Sequence, residues 1–348
     1  MNKLANGMPS PVPITLSRRL IDHHFVDLYL STDPLSPPMV RGLRSRINAA
    51  GPVSKGVARV PDHLQEDVEV LRETIDRKWR NTNFKREFTV AHDDCAYRCS
   101  LIAPPDGIFH VPEQFSELHV LRWCVRKLGD RIPTLGELGV NEVIRKEIFD
   151  LMIHRGLVLV SGPFASGKTT LASAMLDGWV RETREVGVAF EDPPELPLAR
   201  VSEDQGVIYQ IDLMDRSIRE AIKSSRRWSP RFVFLGEVRA ADVCSELLHM
   251  AISGPLALCT IHASDPVQAI VSLFRFASGA MSEELARDMI AVSLRHVFHQ
   301  ELRSGRPILR AIRIHGAENH LIRSRIKSGN FSALYDDFDR QIAGRSTG

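Results

Sequence analysis

The sequence predicts an α/β protein in which a mainly parallel sheet forms the larger domain and a smaller α+β domain precedes it. Three observations carry that reading. A chain of 348 residues exceeds the length at which a single core usually stops growing. Its C-terminal part alternates short apolar runs with helix-patterned stretches, the pattern of a parallel sheet covered on both faces. A glycine-rich turn ending in Gly-Lys-Thr stands between one such run and one such stretch.

Taken in order, Met1–Thr15 carries Pro9, Pro11 and Pro13 without a continuous apolar segment, so it reads as a flexible tail and not as a signal peptide. Leu16–Phe25 is predicted to be helical, Val26–Leu30 a short alternating strand and Asp33–Pro38 a turn. Val68, Val70, Leu71 and Ile75 lie near helical spacing and predict an amphipathic helix over Pro61–Trp79. Glu87–Val90 and Ala96–Ile102 form a predicted antiparallel pair around the turn His92-Asp93-Asp94. Gly129–Gly139, rich in glycine and containing Pro133, is the expected hinge linker between a domain at 16–128 and one at 140–348. Beyond it, Gly156–Ser161, Val186–Phe190, Arg231–Leu235 and Leu256–Thr260 are predicted buried strands, and Lys168–Glu182 a helix.

Composition narrows the function classes. With 43% hydrophobic and 25% charged residues the chain is an ordinary globular one, which excludes disorder and low complexity. Lys and Arg number 45 against 43 acidic residues, so no basic excess points to direct nucleic-acid binding. No window reaches the ~18 consecutive apolar residues of a membrane span, so any membrane role is peripheral. The five cysteines lack paired Cys-x-x-Cys or His-spaced zinc patterns and read as reduced thiols of a cytoplasmic protein.

The run Gly162-Pro163-Phe164-Ala165-Ser166-Gly167-Lys168-Thr169 fits the phosphate-binding loop pattern G-x-x-x-x-G-K-[ST]. Its glycines let backbone N–H groups turn toward phosphate oxygens, and the following helix N-terminus adds positive dipole. Lys168 then reaches the β- and γ-phosphates of ATP, the Thr169 hydroxyl ligates Mg2+, and Thr170 joins the same site. Ala165 leaves the loop intact unless its backbone needs a positive φ.

Three further strand ends carry polar groups to the edge where parallel sheets bind ligands. Glu191-Asp192-Pro193-Pro194-Glu195 offers carboxylates able to hold or deprotonate an attacking water; a solvated acidic turn is the alternative. Glu237, leaving the apolar strand Phe232–Leu235, has the form of a group directed at Mg2+. Arg239 pairs with an acidic neighbour or is solvated. His262, after Thr260-Ile261, is placed to sense the γ-phosphate, or else is structural.

Together these residues resemble a family, the secretion ATPases of type II and type IV systems, most closely the type IV pilus retraction ATPases. Gly162–Thr169 is similar to the family's Walker A, Glu191–Glu195 to its Asp box, Gly236–Arg239 to its Walker B and Thr260–His262 to its His box. Asp27–Ser31, Pro37–Gly42 and Thr134–Gly139 extend the likeness outward. The resemblance implies a RecA-like motor domain behind a PAS-like N-terminal domain, a homo-hexamer, and partners among inner-membrane platform or channel proteins. It further implies Glu195 as general base, Glu237 ordering Mg2+ and water, His262 contacting the γ-phosphate, and Arg98 and Arg126 reaching the nucleotide from the N-terminal domain.

Some residues depart from the family. Arg226-Arg-Trp-Ser-Pro-Arg231 stands where an acidic run is usual, Pro255 replaces a common histidine and Ala240 a common aspartate. The helical signature of retraction motors is absent from the C-terminal region, and no four-cysteine insert occurs. Two readings follow: an ATP-hydrolysing motor of a pilus or secretion machine, or an ATP-binding, hydrolysis-poor assembly or regulatory subunit.

Overall fold

The computed structural model describes residues 17–33, 35–45, 56–82, 84, 86–102, 121–213, 217–303, 306–316 and 319–346; the expected tail lies outside them. Two compact units partition the chain, residues 1–128 and 129–348.

In the first unit the described strands are β1 (His23–His24), β2 (Asp27–Ser31), β3 (Met39–Arg41), β4 (Arg44–Ser45) and β5 (Val57–Arg59); helix α1 (Gln65–Asn81) follows, then β6 (Glu87–His92), β7 (Cys95–Ile102) and β8 (Arg122–Lys127). Six of them form an antiparallel sheet in the order β5-β3-β2-β8-β7-β6. Helix α1 buries Val68, Leu71, Ile75 and Trp79, and Trp79 meets Trp123 edge-on at 5.5 Å. Val70, although near helical spacing, faces solvent at 49% exposure, because it falls one position off the apolar stripe. Acidic residues in the first turn of α1 and basic ones in the last complement its dipole.

The helix predicted over Leu16–Phe25 is not formed among the described residues. A single 3-10 turn, Leu20–Asp22, leads directly into β1. The segment is tied elsewhere: Leu20 N–H donates to Asp67 on α1 at 2.6 Å, and His23 pairs with Ser45 on β4. These tertiary bonds use backbone groups that a helix would have satisfied internally.

The second unit opens with α2 (Glu142–Asp150), β9 (Gly156–Gly162), α3 (Lys168–Thr183), β10 (Val186–Glu191), β11 (Arg200–Ser202) and β12 (Gly206–Asp212). Next come α4 (Ile218–Ser225), β13 (Phe232–Leu235), α5 (Ala241–Ser253), β14 (Leu256–His262), α6 (Pro266–Ser278) and α7 (Glu283–Ser293). It closes with β15 (Leu294–Arg303), β16 (Arg306–Arg313), α8 (His320–Ser328) and α9 (Leu334–Ser346). The sheet order is β11-β12-β10-β13-β14-β9-β15-β16. The neighbours from β12 to β15 are parallel, and β11 and β16 join antiparallel at the edges.

Apolar residues occupy both faces because each strand points successive side chains to opposite sides. Leu157, Leu159, Val188, Phe190, Val233 and Leu235 face a core built with α5, α6 and α7. Val158, Val160, Ala189, Phe232 and Phe234 face a second core built with α2 and α3. Trp179 of α3 lies in that second core, fully buried, its indole N–H donating to Ile148 O at 2.8 Å. Truncating such a side chain typically costs about 3–5 kcal/mol. Cys244 and Cys259 are packed in the first core, where burial pushes the Cys244 thiol up to about 12.

Residues 129–139 form a tied turn. Arg131 pairs with Glu137 at 2.8 Å, Glu137 also accepts from Thr134, and Leu135 is buried in the second core. β11, β12, β15 and β16, which apolar patterning did not mark, complete the sheet; β15 hides its strand character behind buried His296, His299 and Gln300.

Candidate nucleotide site

Every residue of β9 is buried, and the strand runs straight into the glycine-rich turn, which ends where α3 begins at Lys168. Gly162 has φ of 152° and Gly167 of 85°, both in the region open to glycine. A Cβ on Gly162 would lie 2.1 Å from the backbone oxygen of Gln300 on β15, so the close approach of that strand also requires glycine. Ala165 has φ of 57° and therefore occupies the left-handed conformation itself. That is the condition under which its methyl strains the loop, by about 1 kcal/mol.

The parallel strands β9, β10, β13 and β14 deliver their C-terminal ends to one edge, and the motif residues meet there. The Lys168 ammonium donates to Pro163 O at 2.8 Å and to His262 Nδ1 at 3.2 Å. With Nδ1 accepting, the proton of the neutral ring sits on Nε2, which is 3.1 Å from Glu237 Oε1. Arg239 grips the other Glu237 oxygen at 2.6 Å, so of its two sequence alternatives the structure realises pairing. Phe164 stacks on His262 with ring centroids 3.7 Å apart. Burial lowers the Lys168 pKa against the opposing pull of Glu237 and Glu195. Burial and the Lys168 charge lower that of His262, consistent with a neutral ring.

The acidic segment divides into two environments. Glu191, at the end of β10, is 3% exposed, and burial pushes its carboxyl up to about 7. Glu195 lies half-buried in the loop that follows. Gly236 leaves β13 beside this segment, donating its N–H to Phe190 O at 2.9 Å. Thr169 and Thr170 stand in the first turn of α3, half-buried.

Side chains that no local pattern marked complete the loop. Gln300, buried on β15, donates to Ser166 O. Ser161 Oγ and His299 Nδ1 are 2.9 Å apart between β9 and β15. These contacts span more than 130 residues of sequence, so only the pairing of β9 with β15 creates them.

Arg98 and Arg126 lie in the first unit, directly opposite each other on β7 and β8. Arg98 pairs with Glu87 at 2.8 Å and Arg126 with buried Asp27 at 2.9 Å; Asp27 also binds Arg41. In the basic run, Arg226 joins Arg219 and Lys223 around Glu246 of α5, and Arg231 donates to Met152 O. The run is thus partly a helix-to-helix ion cluster.

The sequence profile of the family described as type II/IV secretion system protein matches residues 108–311. The chain belongs to that family. Among curated relatives of this secretion-family chain, the type IV pilus ATPase PilU of Pseudomonas aeruginosa is 27% identical over 67% of this chain and 59% of its own. The type IV pilus retraction ATPase PilT of the same organism is 32% identical over 51% of this chain and 50% of its own. The secretion-family chain thus spans between half and three-fifths of those relatives. In fold it is similar to a crystal structure of the pilus retraction motor PilT with bound ADP, with TM-score 0.66 and 20% identity over 91% of this chain and 86% of that one. The ATPase DotB of Legionella pneumophila gives TM-score 0.63 and 15% identity over 89% and 84%.

Proposed function

We propose that the chain is an ATP-hydrolysing motor subunit of a pilus, secretion or conjugation machine. The observation that carries this reading is the joining of Lys168, His262 and Glu237 by hydrogen bonds at the mouth of the glycine turn. A phosphate-binding loop, a Walker B carboxylate and a phosphate sensor are the parts that phosphoryl transfer to water needs in one place.

The backbone N–H groups of the turn and the N-terminus of α3 receive the phosphates, and Lys168 exchanges its contacts with Pro163 O and His262 for β- and γ-phosphate oxygens. The Thr169 hydroxyl and the Glu237 carboxylate are hard oxygen donors of the kind Mg2+ takes, so the residues fit that ion. When bound, Mg2+ neutralises charge developing on the phosphate oxygens. Glu195 accepts the proton of the attacking water, and His262 donates from Nε2 to the γ-phosphate. Arg98 and Arg126 exchange Glu87 and Asp27 for phosphate charge, as arginine fingers do.

In this reading the second unit is a RecA-like motor domain and the first a PAS-like domain, with residues 129–139 as the hinge. Six copies form a ring at the cytoplasmic face of the inner membrane, attached through platform or channel proteins. Among the described residues no helix is long and apolar enough to cross a membrane. The alternative, an ATP-binding but hydrolysis-poor subunit, draws on the strained Ala165 in the loop.

Turnover of purified protein with ATP and Mg2+ tests the proposal. The parent should hydrolyse ATP, and Lys168→Ala should lose both affinity and hydrolysis by at least about 100-fold. Negligible turnover by a parent that binds ATP favours the alternative, and unaltered activity of Lys168→Ala overturns the site.

A further inference from the structure

The loop that carries Glu195 leaves β10 and crosses the sheet edge to β11 without regular structure of its own. Its anchors include a buried leucine and a polar side chain. Leu198 is buried at 1% exposure in the core under α3. The polar one is Gln210 of β12, which stands opposite Ala189 and therefore on the same face as Glu191.

Gln210 uses its whole hydrogen-bonding capacity there. Oε1 accepts from Leu198 N–H at 3.0 Å and from Ala199 N–H at 3.3 Å. Nε2 donates to Leu196 O and to Glu191 Oε2, each at 2.7 Å. A primary amide has two donor hydrogens and two acceptor lone pairs, and every one is matched. No other natural side chain of this length offers that set: glutamate lacks the donors, and leucine lacks everything but volume. Glu191 in turn holds the Gln210 amide in this orientation, because its Oε2 accepts from Nε2.

We propose that Gln210 is a positioning residue: with its amide oriented by Glu191, its bonds to the loop backbone at Leu196, Leu198 and Ala199 fix where Glu195 presents its own carboxylate to the phosphate site. The role rests on the reading of Glu195 as general base. A base must sit within hydrogen-bond reach of the water it deprotonates, so a slack loop costs turnover while leaving nucleotide binding, which depends on the glycine turn, in place.

The test uses the full chain. In Gln210→Glu the amine face becomes a carboxylate oxygen against Leu196 O and Glu191, and kcat should fall by about 10- to 100-fold with KM and ATP affinity within about twofold of the parent. The double variant Gln210→Glu with Glu191→Gln restores the donor–acceptor pair at residue 191 with reversed polarity while Leu196 O stays opposed, so its kcat should recover part of the loss, by at least about threefold over Gln210→Glu alone. Amide hydrogen exchange gives a readout without turnover: Gln210→Leu should speed exchange at Leu198 and Ala199 by at least about tenfold while α3 stays protected. Parent kcat in Gln210→Glu, or no recovery in a double variant that still binds ATP, overturns the proposal, as does unchanged exchange at the two amides. Glu195→Gln is assayed alongside. Parent turnover there overturns the base reading and with it the purpose of the clamp, whereas an inactive Glu195→Gln beside an active Gln210→Glu overturns the clamp alone.

Discussion

Replacing Glu191 by glutamine should stabilise the protein increasingly as pH rises above about 4.5. Glu191 is 3% exposed and keeps its proton up to about pH 7, chiefly because burial disfavours its charge, with Glu195 and Asp212 adding repulsion. In the unfolded chain the same group releases its proton near 4.5. Between those values the native state holds a proton that the unfolded state has lost, so stability falls as pH rises and the full cost is in place above about pH 7. At about 1.36 kcal/mol per pH unit, the gap amounts to about 3 kcal/mol. Glutamine keeps the acceptor for Gln210 and cannot ionise. Urea unfolding of parent and Glu191→Gln, without nucleotide, should therefore coincide near pH 4.5 and separate by up to about 3 kcal/mol at pH 8, with the variant more stable. A gap that does not change with pH, or a variant less stable at pH 8, would refute the argument, because either result means that Glu191 is not held protonated by its surroundings.

Gly162→Ala places a Cβ 2.1 Å from Gln300 O at a φ of 152°, so nucleotide binding should be lost by at least about 100-fold in equilibrium titration; parent affinity would mean that β15 yields. Glu237→Gln should keep ATP binding and lower kcat by about 100-fold or more, and equal turnover would reduce Glu237 to a strand-end charge. Arg98→Lys and Arg126→Lys should each lower kcat more than binding, because lysine lacks the forked guanidinium; parent kcat in both variants, measured at saturating ATP, would remove the finger assignment. Light scattering with ATP and Mg2+ should report a hexamer, and a monomer under all conditions would sink the ring.

The sequence by itself determined the local pieces. Gly156–Ser161 and Leu256–Thr260 announce buried strands through uninterrupted apolar runs, and the structure forms both. The spacing of Gly162, Gly167, Lys168 and Thr169 encodes the turn and the helix after it, since positive φ at two glycines followed by a helix start is a property of a few adjacent residues. The four motifs in their order also sufficed to name the family, which the profile match shows. Tertiary structure decided what depends on distant partners. Leu16–Phe25 has a helical pattern, yet bonds to Asp67 and Ser45 draw it into a turn and strand. β15 reads poorly as a strand because three of its buried residues are polar: His299 meets Ser161 of β9, Gln300 bonds Ser166 of the glycine turn, and His296 lies 3.6 Å from Glu147 of α2. Gln210 and Gln300 are ordinary glutamines in the sequence. Strand pairing places one against the Glu195 loop, where it makes four hydrogen bonds, and the other against the phosphate loop, where it bonds Ser166 O.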